Sequence, residues 1–116
     1  MKGFEGQVLT GVFELNGQKF MCLDGGPIFK FSESISLLVE CKDQEEIDYF
    51  WGKLSADAQS EQCGWCKDKF GLSWQIVPNM EQFFSEKDPQ KAKRVMDTFM
   101  QMKKIVIADL EKAYEG

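Results

Sequence analysis

Residues 63–78 constrain this chain more than any others. Cys63-Gly64-Trp65-Cys66-Lys67 and Leu72-Ser73-Trp74-Gln75-Ile76-Val77-Pro78 both alternate apolar and polar residues, and they flank the connection Asp68-Lys69-Phe70-Gly71. Alternation with a period of two is the pattern of a half-buried strand, and Gly71 can take the positive φ that closes such a connection. The segment therefore predicts a β-hairpin. Pairing Lys67 with Leu72 sets Trp65 opposite Trp74 as core aromatics, and places Gly64 and Cys66 on the other face with Ser73 and Gln75.

A second hairpin is predicted from Val8 to about Leu23, turning at Asn16-Gly17, the strongest short-range signal for a two-residue hairpin loop. Pairing Leu15 with Gln18 brings Glu14 to Lys19 and Phe13 to Phe20. Asp24-Gly25-Gly26-Pro27 ends the return strand with turn chemistry. Residues 29–34 then connect to a short apolar strand, Ile35 to Val39. Asp43 followed by Glu46 reads as a capping box, with Ile47, Phe50, Trp51 and Leu54 at helical spacing behind it, so Gln44 to Ser55 is an expected amphipathic helix. After Pro78 the pattern turns helical. Asp88-Pro89 supplies an N-cap and a first-turn proline, Ala92, Val95, Met96, Phe99 and Met100 mark one apolar face, and a last helix is expected from about Ala108 to Tyr114. Met80, Met96, Met100 and Met102 read as core packing at that spacing.

Composition removes several classes of function. At 116 residues the chain has room for one domain with one core. No apolar run exceeds five residues, whereas a membrane span needs roughly twenty, and Lys2-Gly3-Phe4-Glu5 does not open a signal peptide. A cytoplasmic protein is expected, with no membrane partner. A net charge of −5 argues against nucleic acid, and the basic residues Lys91, Lys93, Arg94, Lys103 and Lys104 are interleaved with acids as on a solvated helix face. The sequence holds no histidine, which removes the commonest general base, the commonest zinc ligand and every Ser-His or Cys-His pair. Cys22, Cys41, Cys63 and Cys66 read as free thiols. Cys63-Gly-Trp-Cys66 has redox spacing, but on a strand the two thiols point to opposite faces and no helix dipole lowers either pKa.

Phe13-Glu14-Leu15-Asn16-Gly17-Gln18-Lys19-Phe20, Asp24-Gly25-Gly26-Pro27, Gln62-Cys63-Gly64-Trp65 and Lys67-Asp68-Lys69-Phe70-Gly71-Leu72-Ser73-Trp74-Gln75 together resemble the vicinal oxygen chelate superfamily. Lys91-Ala92 to Met96 and Met102-Lys103-Lys104-Ile105 fit as well. The resemblance is to the PhnB-like branch, often labelled "3-demethylubiquinone-9 3-methyltransferase domain". It implies an α+β fold of βαβββ modules around a cleft. Residues 1–27 then form a partial first module, 35–78 a complete second module, and 79–116 a helical C-terminal extension of one domain. On that pattern the strand, helix and strand that open the first module are missing, so a truncated product, a fragment or a partner that completes the sheet is expected.

The superfamily's metal ligands are His and Glu on cleft strands. The resemblance sets Gln75 and a position near Ser34 at two of them, with another near Cys22 or Leu23, and an amide and a hydroxyl are poor ligands for a divalent ion. No metal and no cofactor are expected, since no Gly-rich loop opens a helix as a nucleotide-like cofactor requires. Gln75, Ser73, Ser34 and Cys66 are the candidate ligand-binding residues. Gln75 serves equally well as a satisfied polar group on a strand. The expected function is metal-free binding of a small molecule in the cleft. A lyase, isomerase or dioxygenase of the same superfamily is the alternative, and a structural assembly module the third. The open edge and apolar face of the first hairpin predict a homodimer that completes the sheet.

Overall fold

The computed structural model describes residues 9–84 and 87–116. The chain divides into two compact units, 1–30 and 31–116. Val8, the expected start of the first strand, lies outside the described residues.

The first unit is a hairpin of β1 (Thr10–Leu15) and β2 (Gln18–Leu23). Asn16 and Gly17 both take positive φ, 50° and 81°, the backbone of a type I′ turn whose twist matches the flanking strands. The register is the one the turn dictates, with Leu15 opposite Gln18, Glu14 opposite Lys19 and Phe13 opposite Phe20. The two phenylalanine rings stack 5.5 Å apart. Alternation puts Val12, Met21 and Leu23 on the face opposite that pair, where they are 64%, 70% and 63% exposed.

The second unit is a three-stranded sheet whose helices pack on the face of Val39, Cys66, Trp74 and Ile76. Its order is β3-β5-β4, with β5 (Ser73–Pro78) central, parallel to β3 (Ser36–Cys41) and antiparallel to β4 (Trp65–Lys67). The α+β class expected from the sequence holds, and residues 35–78 contribute three strands, one α-helix and a short 3-10 helix, one strand fewer than the complete βαβββ module expected there. β3 runs from Ser36 rather than Ile35, because residues 33–34 form a turn that leaves Ile35 70% exposed while Cys41 at the other end is buried.

Local chemistry fixes the helices. In α1 (Gln44–Leu54) the Asp43 carboxylate accepts from the Glu46 backbone N–H at 2.9 Å, and Glu46 in turn accepts from the Lys42 N–H at 3.3 Å. In α2 (Pro89–Phe99) Asp88 accepts from the Lys91 N–H ahead of Pro89. No side chain caps α3 (Ile107–Glu115) in the ordinary way. Gln44 of α1 does the work from outside, its Oε1 accepting from the Ile107 N–H at 2.8 Å while its Nε2 donates to the Ile105 carbonyl at 2.9 Å. At the far end of α3, Arg94 donates to the Ala113 and Tyr114 carbonyls.

The basic residues are therefore more engaged than a solvated face. Arg94 holds α3, Lys91 sits 4.8 Å from the Tyr114 ring, and Lys93 and Lys104 pair with Asp97 and Asp48. Ile47, Ile76, Phe83, Val95, Ile105 and Leu110 form the core with Cys41 and Cys66, and Met80 and Met102 pack against it. Met96 and Met100, expected in the core, are exposed. Among the described residues no helix is long and apolar enough to cross a membrane.

Cys63 and Gly64 tie the C-terminal segment to the sheet. Both adopt positive φ, 53° and 83°, which turns their N–H groups onto the Met102 and Lys103 carbonyls at 2.7 and 2.8 Å while the Gly64 carbonyl accepts from Ile76 N–H. A Cβ on Gly64 would lie 3.1 Å from the Ile76 carbonyl oxygen and 3.2 Å from Ile105. Gly71 also has positive φ, 88°, but its Cβ would meet nothing within 4 Å. Gly64→Ala should therefore cost about 2–4 kcal/mol, combining left-handed strain with overpacking, and Gly71→Ala only about 1–2 kcal/mol. Urea unfolding of both variants checks the difference.

Candidate ligand-binding face

The loop between β4 and β5 decides which side chains share a face. The Gly71 N–H donates to the Asp68 carbonyl and the Asp68 N–H to the Leu72 carbonyl, both at 3.0 Å, so three residues, not four, bridge the strands, with Gly71 in the left-handed region. Lys67 consequently pairs with Ser73, Cys66 with Trp74 and Trp65 with Gln75. This is one residue from the register expected above, and a one-residue slip exchanges the faces of one strand relative to the other.

On the core face, Trp74, Ile76, Val39, Cys41 and Cys66 meet Ile47, Phe50 and Trp51 of α1. The Asp68 carboxylate fixes this arrangement, accepting from the Phe70 and Leu72 N–H groups at 2.9 and 3.1 Å and from the Trp74 indole at 2.9 Å. On the open face the register aligns three rows: Ser36, Ser73 and Lys67; Leu38, Gln75 and Trp65; Glu40 and Val77.

The structure brings together two of the four candidate residues. Ser73 and Gln75 share the open face, and Gln75 Nε2 donates to Ser36 Oγ at 2.9 Å. Ser34 is not opposite Gln75. It lies in the exposed turn before β3, bonded to Ser32; Leu38 is the residue opposite Gln75, and Ser36, one row along, accepts from its amide. Cys66 is on the core face, 1% exposed, because of the shifted register. Trp65 leaves the core for the same reason, and lines with Gln62, Phe99 and Met100 a groove of about 440 Å³.

Three features of this face escaped the sequence pattern. Ser73 is only 1% exposed, and its Oγ has no hydrogen-bond partner among the described residues. Lys67, directly across from it, forms an ion pair with Glu33. The hydrogen bond from Lys67 above all, with the Glu33 backbone N–H and the ammonium charge adding to it, holds the Glu33 carboxyl below its ordinary pKa. The pair is thus intact at neutral pH and opens as pH falls through that lowered value. A three-residue reading of the Asp68–Leu72 connection would have placed Lys67 beside Ser73.

The donors on this face do not suit a divalent ion. The Gln75 amide stands with two hydroxyls and an ammonium, the Glu33 carboxylate is taken up by Lys67 and Glu40 lies in the third row, and among the described residues no group of three or more His, Cys, Asp or Glu side chains could hold a metal. A larger cavity, about 670 Å³, opens at the ends of β3 and β5 among Glu40, Asp43, Glu46 and Glu111. Its Asp43 carboxylate is already committed to capping α1.

The sequence pattern of the family described as 3-demethylubiquinone-9 3-methyltransferase matches residues 1–77. A solved structure described as "Putative 3-demethylubiquinone-9 3-methyltransferase, PhnB protein, from Bacillus cereus" is 36% identical, over 60% of this chain and 64% of that one, with a TM-score of 0.49. The chain thus spans less than two thirds of that protein's length. Among curated proteins none matches.

All four cysteines are free thiols. Burial, reinforced by Glu46 and Asp43, pushes the Cys41 thiol up to about 11, and burial with Glu61 and Asp68 nearby does the same for Cys66. A thiol this far above neutral is almost wholly protonated and a poor nucleophile. At pH 8 a chromogenic disulfide should react quickly with exposed Cys22 alone, and with Cys41, Cys63 and Cys66 only as the protein unfolds. Rapid modification of Cys66 in the folded protein would contradict its placement.

Proposed function

We propose that this chain, which belongs to the PhnB-like 3-demethylubiquinone-9 3-methyltransferase family, binds a small organic molecule on the open face of its three-stranded sheet, without a metal ion. The observation that carries this reading is the row of side chains around Gln75. The amide is held by Ser36, with Leu38 58% exposed on one side and Trp65 on the other. An apolar floor with a few fixed polar groups is the usual make-up of a small-molecule site.

Binding is favoured over catalysis by the disposition of the reactive groups. Lys67 is engaged by Glu33, and Cys41 and Cys66 lie on the core face as protonated thiols. The methyl transfer named in the family's description needs a bound methyl donor, and the residues of this face offer no cradle of the Gly-rich kind for one. The unpaired thiols suit a reducing compartment, so we place the protein in the cytoplasm. A fragment screen by ligand-observed NMR on the full chain should yield weak binders that Leu38→Glu abolishes, and elemental analysis should find well under one metal per chain. A stoichiometric divalent ion surviving dialysis would overturn the metal-free part, and binders indifferent to Leu38→Glu would move the site elsewhere.

We also propose that a second copy of the chain covers the first hairpin. Val12, Met21 and Leu23 on one face and Phe13 and Leu15 on the other are exposed. A lone two-stranded hairpin is marginal in water, and apolar surface on both faces favours association. Sedimentation at micromolar concentration should give twice the 13.3 kDa of the chain, with Val12→Glu plus Met21→Glu shifting it toward monomer. A cooperatively folded 13.3 kDa monomer would refute the dimer.

A further inference from the structure

We infer that the ligand of the open face is a carboxylate, bound by Lys67 and Ser73 in the place where Glu33 now supplies its own. The inference rests on the binding reading above and names the chemistry of that ligand.

Lys67 and Ser73 are directly opposite each other. The ladder bonds at the next pair, Asp68 N–H to the Leu72 carbonyl, and three pairs along on the other side, Ile76 N–H to the Gly64 carbonyl, set an alternation that makes theirs a non-hydrogen-bonded pair, the kind in which side chains approach most closely. Ser36 completes the row from the other side. Ser73 is thus a hydroxyl with 1% exposure, enclosed between neighbours and without a hydrogen-bond partner among the described residues. A buried hydroxyl is normally satisfied. An acceptor oxygen that displaces the Glu33 carboxylate from Lys67 and moves in beside its cross-strand neighbour Ser73 would satisfy it.

Glu33 shows which acceptor the lysine takes. Its carboxylate reaches Lys67 from the turn before β3, yet its side chain is 63% exposed whereas that of Lys67 is 27% exposed. The lysine is built into the sheet and the glutamate is tethered beside it. A tethered, exposed carboxylate on a half-buried ammonium can be displaced by a free one, because exposed ion pairs are held weakly.

The neighbouring rows define the rest of the molecule. Two residues along a strand span roughly 6.6–6.8 Å, so a carboxylate at Lys67 and Ser73 sets a small ring or short alkyl body over Leu38, Gln75 and Trp65. The third row carries Glu40, which is exposed and disfavours a second anionic group at that end. The geometry fits a monocarboxylate with a compact apolar body.

Benzoate and its neutral twin benzamide test this on the full chain at matched ionic strength, followed through the backbone amides of Lys67, Ser73 and Gln75 and the Trp65 indole. Benzoate should shift these signals saturably and benzamide only weakly. Glu33→Gln should tighten benzoate by about threefold, the scale of a lost competing surface ion pair, and Lys67→Gln should abolish its effect. If Lys67→Gln misfolds, its spectrum will reveal that and Glu33→Gln alone decides. Equal shifts with both compounds, together with no gain from Glu33→Gln, would overturn the carboxylate while leaving a small-molecule face intact. Absence of any shift with either compound would also overturn it, and the fragment screen then judges the face itself.

Discussion

The Asp68 carboxylate is the contact on which the second unit depends. One oxygen gathers the Phe70 and Leu72 N–H groups and the other takes the Trp74 indole. The first interaction closes the loop at three residues, and the second anchors the largest side chain of the central strand on the core side. Because side chains alternate along a strand, those three bonds settle the facing of the residues of β4 and β5. Cys66, Trp74 and Ile76 go to the core, and Trp65, Lys67, Ser73 and Gln75 go to the open face.

The C-terminal helices are held to this sheet by backbone rather than by strand pairing. Cys63 and Gly64 donate to the Met102 and Lys103 carbonyls, and Gln44 bridges the Ile105 carbonyl and the Ile107 N–H. Ile105 is thereby delivered into the core. The same segment leads into α3, whose last carbonyls are closed by Arg94 from α2. Packing of α1, α2 and α3 is therefore conditional on the positive φ at residues 63 and 64, a requirement that Gly64 meets easily and Cys63 meets at some cost.

What could be read in the sequence is what local chemistry decides. Asn16-Gly17 fixed its turn and register, and Asp43 and Asp88 each capped the helix expected of them, because each outcome depends on residues within a few positions. The β4–β5 hairpin was legible as a hairpin but not in register, since three-residue and four-residue closures use the same Gly71 and differ only in how Asp68 bonds. That ambiguity alone separated Cys66 from Gln75 and hid Lys67. Ser34 lies in the turn at 33–34 ahead of β3, and Ser36, the first residue of the strand, is the serine that bonds Gln75. The roles of Gln44 and Arg94 were invisible, as each joins residues far apart in the chain.

The open face carries a cost that bears on its use. A buried hydroxyl without a partner destabilises a fold by roughly 1–3 kcal/mol, and Ser73 has Ser36 and Lys67 as its neighbours in the row. Neither satisfies it: Ser36 accepts from Gln75, and Lys67 donates to Glu33. Each of its neighbours in the row is thus turned to some other partner, leaving the Ser73 hydroxyl uncommitted among the described residues. A stabilising core position would take alanine or valine instead. The serine there, beside an ammonium already holding a carboxylate, is the group that the proposed carboxylate ligand would satisfy.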